Sequence, residues 1–290
     1  MKFGVMFSNV AAFAEPEGAR ALATTAEEVG FESVWTVEHA VVPKGYESAY
    51  PYSPSGKMPG GEFIALPDPF VWLSYVAALT STIKLGTGIA ILPQRNPVIT
   101  AKEVASLDRL SSGRVLLGVG AGWLAEEFAA LGVPFERRGD RLDEYIKALR
   151  VLWSDESPTF SGEFVSFTDC VCLPQPTGGS VPIVIGGHTP RAARRAGELG
   201  DGFFPGSAKP DELATLLDIM RRSAKGAGRD PDAIEITVGG GFTVEQARTL
   251  ADLGVDRALI APMAFDAEGI ARQLTTFAEE VIGVVNTPSA

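Results

Sequence analysis

The strongest constraint on this chain is a rhythm. Short apolar runs alternate with longer segments whose apolar residues recur at helical spacing, throughout the sequence. Eight runs read as strands: residues 2–7, 33–36, 83–92, 114–119, 183–186, 202–204, 234–238 and 257–261. Several are unbroken stretches of β-branched or aliphatic side chains, as in strands covered on both faces. Residues 17–29, 100–110, 140–152, 211–224, 243–253 and 267–282 read as helices. In the first of these, Ala19, Leu22, Ala23, Ala26 and Val29 form one stripe, and Gly30 stops the helix. Thr243 with Gln246 three residues on has the pattern of a capping box. Strand–helix alternation of this kind builds parallel βα units. Eight of them in 290 residues fit an α/β fold of the closed (β/α)8 TIM-barrel type, not an open sheet. Residues 1–290 are expected to form a single domain.

Two segments break the repeat. Residues 41–69 are rich in Gly, Pro and Tyr, and residues 155–181 in Pro, Gly, Phe and Thr, with strand-like pieces such as 163–167. Loops this long inside a compact domain usually serve a function. The first follows the second strand directly, so in a barrel it is an active-site insertion at the catalytic face. The second is an insertion before the fifth strand.

Composition then removes whole classes of function. The net charge is −11 and no basic stripe is visible, which argues against nucleic acid or an anionic membrane as partner. A polyanionic cofactor would therefore need locally placed donors. Near the N-terminus, Lys2, an apolar stretch and Ala12-Phe13-Ala14 superficially resemble a secretory signal, but the apolar stretch is only Phe3 to Phe7. A buried first strand explains it better. No run is long enough to span a membrane, so a cytoplasmic protein is expected. Cys170 and Cys172 form a C-x-C pair with no zinc-finger partner and read as two reduced thiols, sharing one face if the segment is a strand. Disorder is expected only in residues 286–290.

The residue types that carry chemistry gather just after the strands. The chain has two histidines, His39 after the second strand and His188 after the fifth. Both positions face the mouth of a barrel. His39 is the candidate for giving or taking a proton near neutral pH. Glu38 beside it either orients or binds a ligand, or is a solvated rim residue. In Ile185-Gly186-Gly187-His188-Thr189-Pro190-Arg191 a strand ends in two glycines, Thr189 can cap a helix and Pro190 suits its first turn. Such a turn is a ready phosphate site; Arg191, Arg194 and Arg195 add positive charge. The other reading is a plain tight connection. Gly118-Val119-Gly120-Ala121-Gly122-Trp123 fails as a dinucleotide fingerprint, because Trp123 stands where the last glycine is required. It reads as a wall against which a flat ring can lie, or as strand-end glycines needed for packing. Gly86 and Gly88 inside the third strand point to a bulge or a close approach of backbone, and Asn96-Pro97 opens the next helix. No Ser-His-Asp set, Cys-His set or metal site is apparent.

Together these pieces resemble the luciferase-like monooxygenase superfamily, and within it the coenzyme F420-dependent oxidoreductases. The matching stretches run from Gly30-Phe31-Glu32-Ser33-Val34-Trp35 with Glu38-His39, through Leu85-Gly86-Thr87-Gly88 to Arg95-Asn96-Pro97, and Leu107-Asp108 to Ser112-Gly113-Arg114. They continue with Gly118 to Trp123, Glu126-Glu127-Phe128, Leu131-Gly132, Arg138-Gly139-Asp140-Arg141 and Leu152-Trp153, and end at Pro182 to Gly187 and Gly200-Asp201-Gly202-Phe203. The resemblance implies a deazaflavin ring across the barrel mouth, backed by a non-prolyl cis peptide in a bulge at Gly88-Ile89. It implies cofactor contacts from Glu38, Thr87, Gly88, Ile89, Gly120, Ala121, Gly122, Gly186, Gly187, His188, Thr189 and Arg191, and a catalytic or substrate-binding role for His39. Hydride would pass between the cofactor and a small organic substrate under residues 41–69, where Tyr46, Tyr50, Tyr52 and Trp123 either line an apolar pocket or pack the loop down. A homodimer is implied, with a flavin or F420 reductase as a further partner.

The chain departs from the sugar-phosphate dehydrogenases of the family. They carry a carboxylate where it has Trp123, and a tryptophan shortly after the histidine, where it has Val41-Val42-Pro43-Lys44. These departures argue against glucose-6-phosphate. Three alternatives stand beside F420-dependent hydride transfer. The first is an FMN-dependent monooxygenase fed by a separate reductase. The second is a non-catalytic flavin-binding barrel or partner subunit. The third is an NAD-binding Rossmann dehydrogenase.

Overall fold

A computed structural model of the protein describes residues 1–206 and 209–287. The strands, in chain order, are β1 (Lys2–Val5), β2 (Ser33–Thr36), β3 (Lys84–Thr87), β4 (Val115–Val119), β5 (Phe160–Ser161), β6 (Ser166–Phe167), β7 (Ile183–Gly186), β8 (Gly202–Phe204), β9 (Glu235–Gly239) and β10 (Arg257–Ile260). Eight of them pair in the order β1-β10-β9-β8-β7-β4-β3-β2 and close into a barrel, all in parallel. This is the (β/α)8 architecture that the alternation of runs predicts. Closure excludes the open sheet of a Rossmann dehydrogenase. β5 and β6 form a separate antiparallel hairpin in the 155–181 insertion, so the strand-like piece at 163–167 is one turn and half of a hairpin.

The helices are α1 (Pro16–Glu28), α2 (Pro69–Ala77), α3 (Pro97–Leu110), α4 (Ala125–Ala130), α5 (Arg138–Ser154), α6 (Pro190–Leu199), α7 (Pro210–Gly226), α8 (Val244–Asp252), α9 (Ala267–Phe277) and α10 (Gly283–Asn286). The periodic segments become α1, α3, α5, α7, α8 and α9. The last expected helix breaks at residue 278, where Ala278–Ile282 winds as a π-helical turn. Thr243 caps α8 by accepting from the Gln246 N–H at 3.2 Å, while Gln246 Oε1 accepts from Phe242 at 3.0 Å, one residue ahead of a standard capping box. Of the tail, Asn286 ends α10, and residues 288–290 lie outside the described residues. The cysteines are both free, Cys172 buried and Cys170 half-buried, and they sit on irregular chain instead of a strand.

The strands alternate between two apolar layers. Outward side chains such as Val34, Leu117, Ile185 and Phe203 join the helices in the main core. Inward ones form a second cluster of Trp35, Leu116, Val184, Phe204 and Leu259, with Met6 and Ile89 packed on it. Trp35 fills the barrel because its neighbours have no side chains. A Cβ on Gly86 would lie 2.5 Å from its ring, and one on Gly88 or Gly118 at 3.4 or 3.5 Å. That close approach is why β3 carries a glycine at position 86. Burying an indole removes about 150–250 Å² from water, worth roughly 4–6 kcal/mol at about 25 cal/mol per Å². The N-terminal end is closed by Arg257, 1 % exposed, which lies over Trp35 and donates to Glu32, Glu235 and Thr237.

β3 is shorter than the run 83–92 suggests. It ends at Thr87, the Gly88–Ile89 peptide is cis, and only an isolated bridge between Ala90 and Val119 continues the pairing. No helix among the described residues is long and apolar enough to cross a membrane.

Candidate active site

All eight parallel strands end at one rim, and the residues singled out from the sequence lie just beyond those ends. His39 follows β2 by three residues. Its Nδ1 is 2.8 Å from Glu127 Oε2, with the two side chains 8 % and 1 % exposed. Glu127 stands on α4, on the buried stripe with Leu124 and Phe128. Its other oxygen accepts from Ala40 N–H at 2.6 Å and Val41 N–H at 3.3 Å. One carboxylate thus fixes both the imidazole and the root of the 41–69 loop. Neighbouring Glu126 Oε1 accepts from Glu47 and Ser48 N–H, so α4 pins the loop at two places.

The floor of the mouth is the cis Gly88–Ile89 peptide. The Ile89 side chain lies between the ends of β4 and β7, where only glycine leaves room. A Cβ on Gly120 would sit 1.8 Å from Ile89 Cδ1, and one on Gly186 would sit 2.6 Å from Cγ2. Gly118 is equally constrained, since its Cβ would meet the Thr87 carbonyl oxygen at 1.8 Å. For Gly118 and Gly120 the packing reading of the glycine run is therefore the one realised. Gly122, at φ +82, and Ala121 are half-buried at the rim. Thr87, 1 % exposed, spends its hydroxyl on the Gly118 carbonyl at 2.6 Å.

Glu38 is not a solvated rim residue. It is 7 % exposed, accepts from the Ile91 N–H, and takes the Arg95 Nε–H at 2.6 Å. Burial pushes its carboxyl up, against the pull of Arg95. Its oxygens are thus taken up by protein groups, and it works as a strut holding the segment that follows the cis peptide. Arg95 also donates to Asp68 Oδ2 at 2.6 Å, and Asp68 Oδ1 caps α2 through the Phe70 and Val71 N–H groups.

The 41–69 loop lays a string of aromatic rings across the rim, each edge-to-face with the next. Trp123 is 5.6 Å from His39, 5.5 Å from Tyr46 and 5.2 Å from Tyr50. Tyr50 is 5.5 Å from Tyr52, and Tyr52 is 4.8 Å from His188. The string runs from the end of β2 past β4 to the end of β7. Tyr46 is buried and its hydroxyl accepts from Met58 N–H at 2.8 Å, so it packs the loop down. Lys57 spends its ammonium on the Tyr46 carbonyl and ring. Tyr50 is half-buried and burial raises its phenol above its usual value, while Tyr52 is exposed over Gly206. Of the two expectations for these tyrosines, packing the loop down is the one the structure shows for Tyr46.

At the far end of the string α6 begins. Thr189 accepts from Ala192 N–H at 3.2 Å, and Gly187 takes φ +124, a backbone shape open to glycine. The N–H groups of His188, Thr189 and Arg191 have no partner among the described residues. They present a donor cradle at the positive end of a ten-residue helix. The flanking arginines differ. Arg195 is 6 % exposed and bound to Asp143 and the Gly139 carbonyl, so it braces α5 against α6. Arg194 is exposed, and Arg191 reaches Asp140 at 3.1 Å from an exposed position. Arg138, which the sequence reading left without a role, lies closer in. It donates to the Gly122 carbonyl at 3.0 Å and stacks on Phe135. Burial and then the nearby charge of Arg191 lower its pKa. No group of three metal-ligating side chains occurs among the described residues.

Three residues that the sequence reading placed in matching stretches but gave no role therefore belong to the site: Glu127, Arg95 and Arg138. Only Glu127 left a signal, a carboxylate on the apolar stripe of Leu124 and Phe128.

Comparison with known proteins identifies the family and the fold. Residues 1–279 match the family described as luciferase-like monooxygenase. An uncharacterised Mycobacterium tuberculosis protein is 35 % identical over 276 residues, covering 91 % of this chain and 94 % of its own. An F420-dependent glucose-6-phosphate dehydrogenase of Kineococcus radiotolerans is 34 % identical over 222 residues, 74 % of this chain and 60 % of that one. Among solved structures, an F420-dependent secondary alcohol dehydrogenase holding an F420–acetone adduct superposes with a TM-score of 0.81 at 21 % identity, covering 99 % of both chains. A monooxygenase from Streptomyces bottropensis gives 0.74 at 24 % identity, covering 98 % of this chain and 99 % of that one.

Proposed function

The chain belongs to the luciferase-like monooxygenase family, and from that premise we propose that it is an oxidoreductase that moves hydride between the deazaflavin coenzyme F420 and a small uncharged organic substrate. The observation that carries the reading is the floor of the mouth, where Ile89 is seated between Gly120 and Gly186, together with the donor cradle at the start of α6. A flat ring fits over the first and a phosphate fits the second. The F420-dependent relatives and structural neighbours support the choice of coenzyme.

When bound, the coenzyme supplies the hydride chemistry. The chain's own residues do the rest. Gly186, Gly187, His188 and Thr189 would hold the phosphate, with Arg191 and Arg138 offering charge to a longer anionic tail. Glu38 acts through Ile91 and Arg95 to keep the floor in place. His39 stands where a substrate oxygen would exchange its proton. Tyr50, Tyr52 and Trp123 exclude water and offer apolar faces. Of the two lysines in the loop, Lys57 is committed to Tyr46 and Lys44 is exposed; the rings of Tyr50, Tyr52 and Trp123 make this wall largely aromatic, and a neutral carbonyl compound or alcohol is the matching substrate class.

The test is equilibrium binding of coenzyme F420 and of FMN to the purified protein at matched salt. Micromolar or tighter F420 binding with weak FMN binding is expected. The reverse preference would make the protein a flavin monooxygenase served by a reductase, and binding of neither would leave a non-catalytic barrel. With coenzyme bound, His39→Ala should keep affinity within a few-fold and lower turnover about 10²–10⁴-fold. Unchanged turnover would remove His39 from the chemistry.

A further inference from the structure

His39 has two ring nitrogens, and the structure treats them differently. Nδ1 faces Glu127 Oε2 at 2.8 Å, in a contact where the carboxylate is 1 % exposed. The second oxygen of Glu127 already accepts two backbone N–H groups, from Ala40 and Val41. Two backbone donors favour the carboxylate as an anion, and an anion can only accept. The proton between the two residues therefore belongs to Nδ1. Trp123 stands edge-to-face against the imidazole at 88° and limits its rotation.

We propose that Glu127 is a positioning residue. It holds neutral His39 as the Nδ1–H tautomer and leaves the Nε2 lone pair as the proton acceptor of the site. The proposal rests on the reading of His39 as the group that exchanges a proton with substrate. For an alcohol, the C–H bond breaks and its electron pair leaves as hydride for the oxidised deazaflavin. The O–H bond breaks, its proton goes to Nε2, and a C=O bond forms. The resulting imidazolium is paired with the Glu127 carboxylate. In the reverse direction Nε2–H returns the proton as hydride arrives at the carbonyl carbon. The tautomer decides the rate, because the Nε2–H form has no lone pair to offer an alcohol there.

Glu127→Gln separates this role from a structural one. The glutamine carbonyl oxygen can keep the Ala40 and Val41 N–H groups. Its amide then donates to Nδ1 and selects the Nε2–H tautomer. The chain has only two histidines, so a long-range nitrogen–proton NMR spectrum of histidine-labelled protein resolves both, with His188→Gln assigning them. In the coenzyme-free wild type, His39 should be in the Nδ1–H form, and in Glu127→Gln it should switch. With coenzyme and substrate, Glu127→Gln should lower kcat about 10²–10⁴-fold, as for a lost proton acceptor, with KM and coenzyme Kd within a few-fold and a nearly unchanged melting temperature. The acidic limb of the kcat–pH profile should move. An Nε2–H wild type overturns the proposal, and that measurement needs no variant. Normal turnover in a switched Glu127→Gln overturns it as well. Failure of F420 to bind would sink the proposed function yet leave the tautomer result standing, so the two are tested apart.

Discussion

At the scale of the residue, the mouth is shaped by atoms that are missing. Ile89 occupies space that side chains at positions 120 and 186 would need. The two glycines make separable predictions. Gly120→Ala collides with the tip of Ile89, at Cδ1, and should cost about 1–3 kcal/mol as overpacking. Adding Ile89→Val removes that tip and should restore most of the loss. Gly186→Ala collides with Cγ2, which valine retains, so the same second change should not rescue it. Denaturant titration of the four proteins checks this; equal rescue in both would show that Ile89 is not what the glycines accommodate. Positions like these are half-legible in a sequence. A glycine run after a strand signals close approach, but whether a ligand or Ile89 does the approaching depends on a fold not yet seen. The histidines stood out because they are scarce and follow strands. Glu127 did not, because an acid on a six-residue helix reads as solvated. Glu38 suggested a ligand contact, while its real partners, Ile91 and Arg95, lie more than fifty residues away in sequence.

At the scale of the element, α2 shows how a loop is made to end. Asp68 uses one oxygen to cap the helix and the other to hold Arg95. Asp68→Ala should cost about 0.5–2 kcal/mol through the cap, with at most about 1 kcal/mol more from a partly exposed ion pair. Asp68→Asn keeps the cap acceptor and should cost less. If the asparagine variant is as unstable as the alanine one, the Arg95 contact matters more than the cap. The sequence concealed α2 because Phe70, Trp72, Leu73 and Val76 are all buried and leave no polar stripe to set the period. The barrel strands were legible for the opposite reason. Strands buried on both faces are unbroken apolar runs, and all eight runs proved to be strands. The third was over-extended past Thr87, where the ladder stops and only the Ala90–Val119 bridge continues the pairing.

At the scale of the molecule, the barrel is clasped at the end opposite its site. Glu32 and Glu235 are partly buried, which alone would raise their pKa, but hydrogen bonds and charge from Arg257 and Lys2 outweigh burial and lower both. A lowered carboxylate contributes stability that is fully present above its unfolded value, about 4.3, and lost as pH falls through the folded one. The melting temperature should therefore drop steeply below about pH 4.3. Glu32→Gln should melt lower at neutral pH, because it strips a partner from buried Arg257, and should fall less steeply in acid. Parallel curves for the two proteins would place the acid sensitivity elsewhere. The rim has a different consequence. Of four tryptophans, Trp35 and Trp153 are 0 % exposed and Trp72 is 4 %, whereas Trp123 stands half-buried in the aromatic string. The molecule therefore carries a single optical window onto its mouth: a neutral collisional quencher reaches one indole of the four, and whatever settles on the rim closes that window.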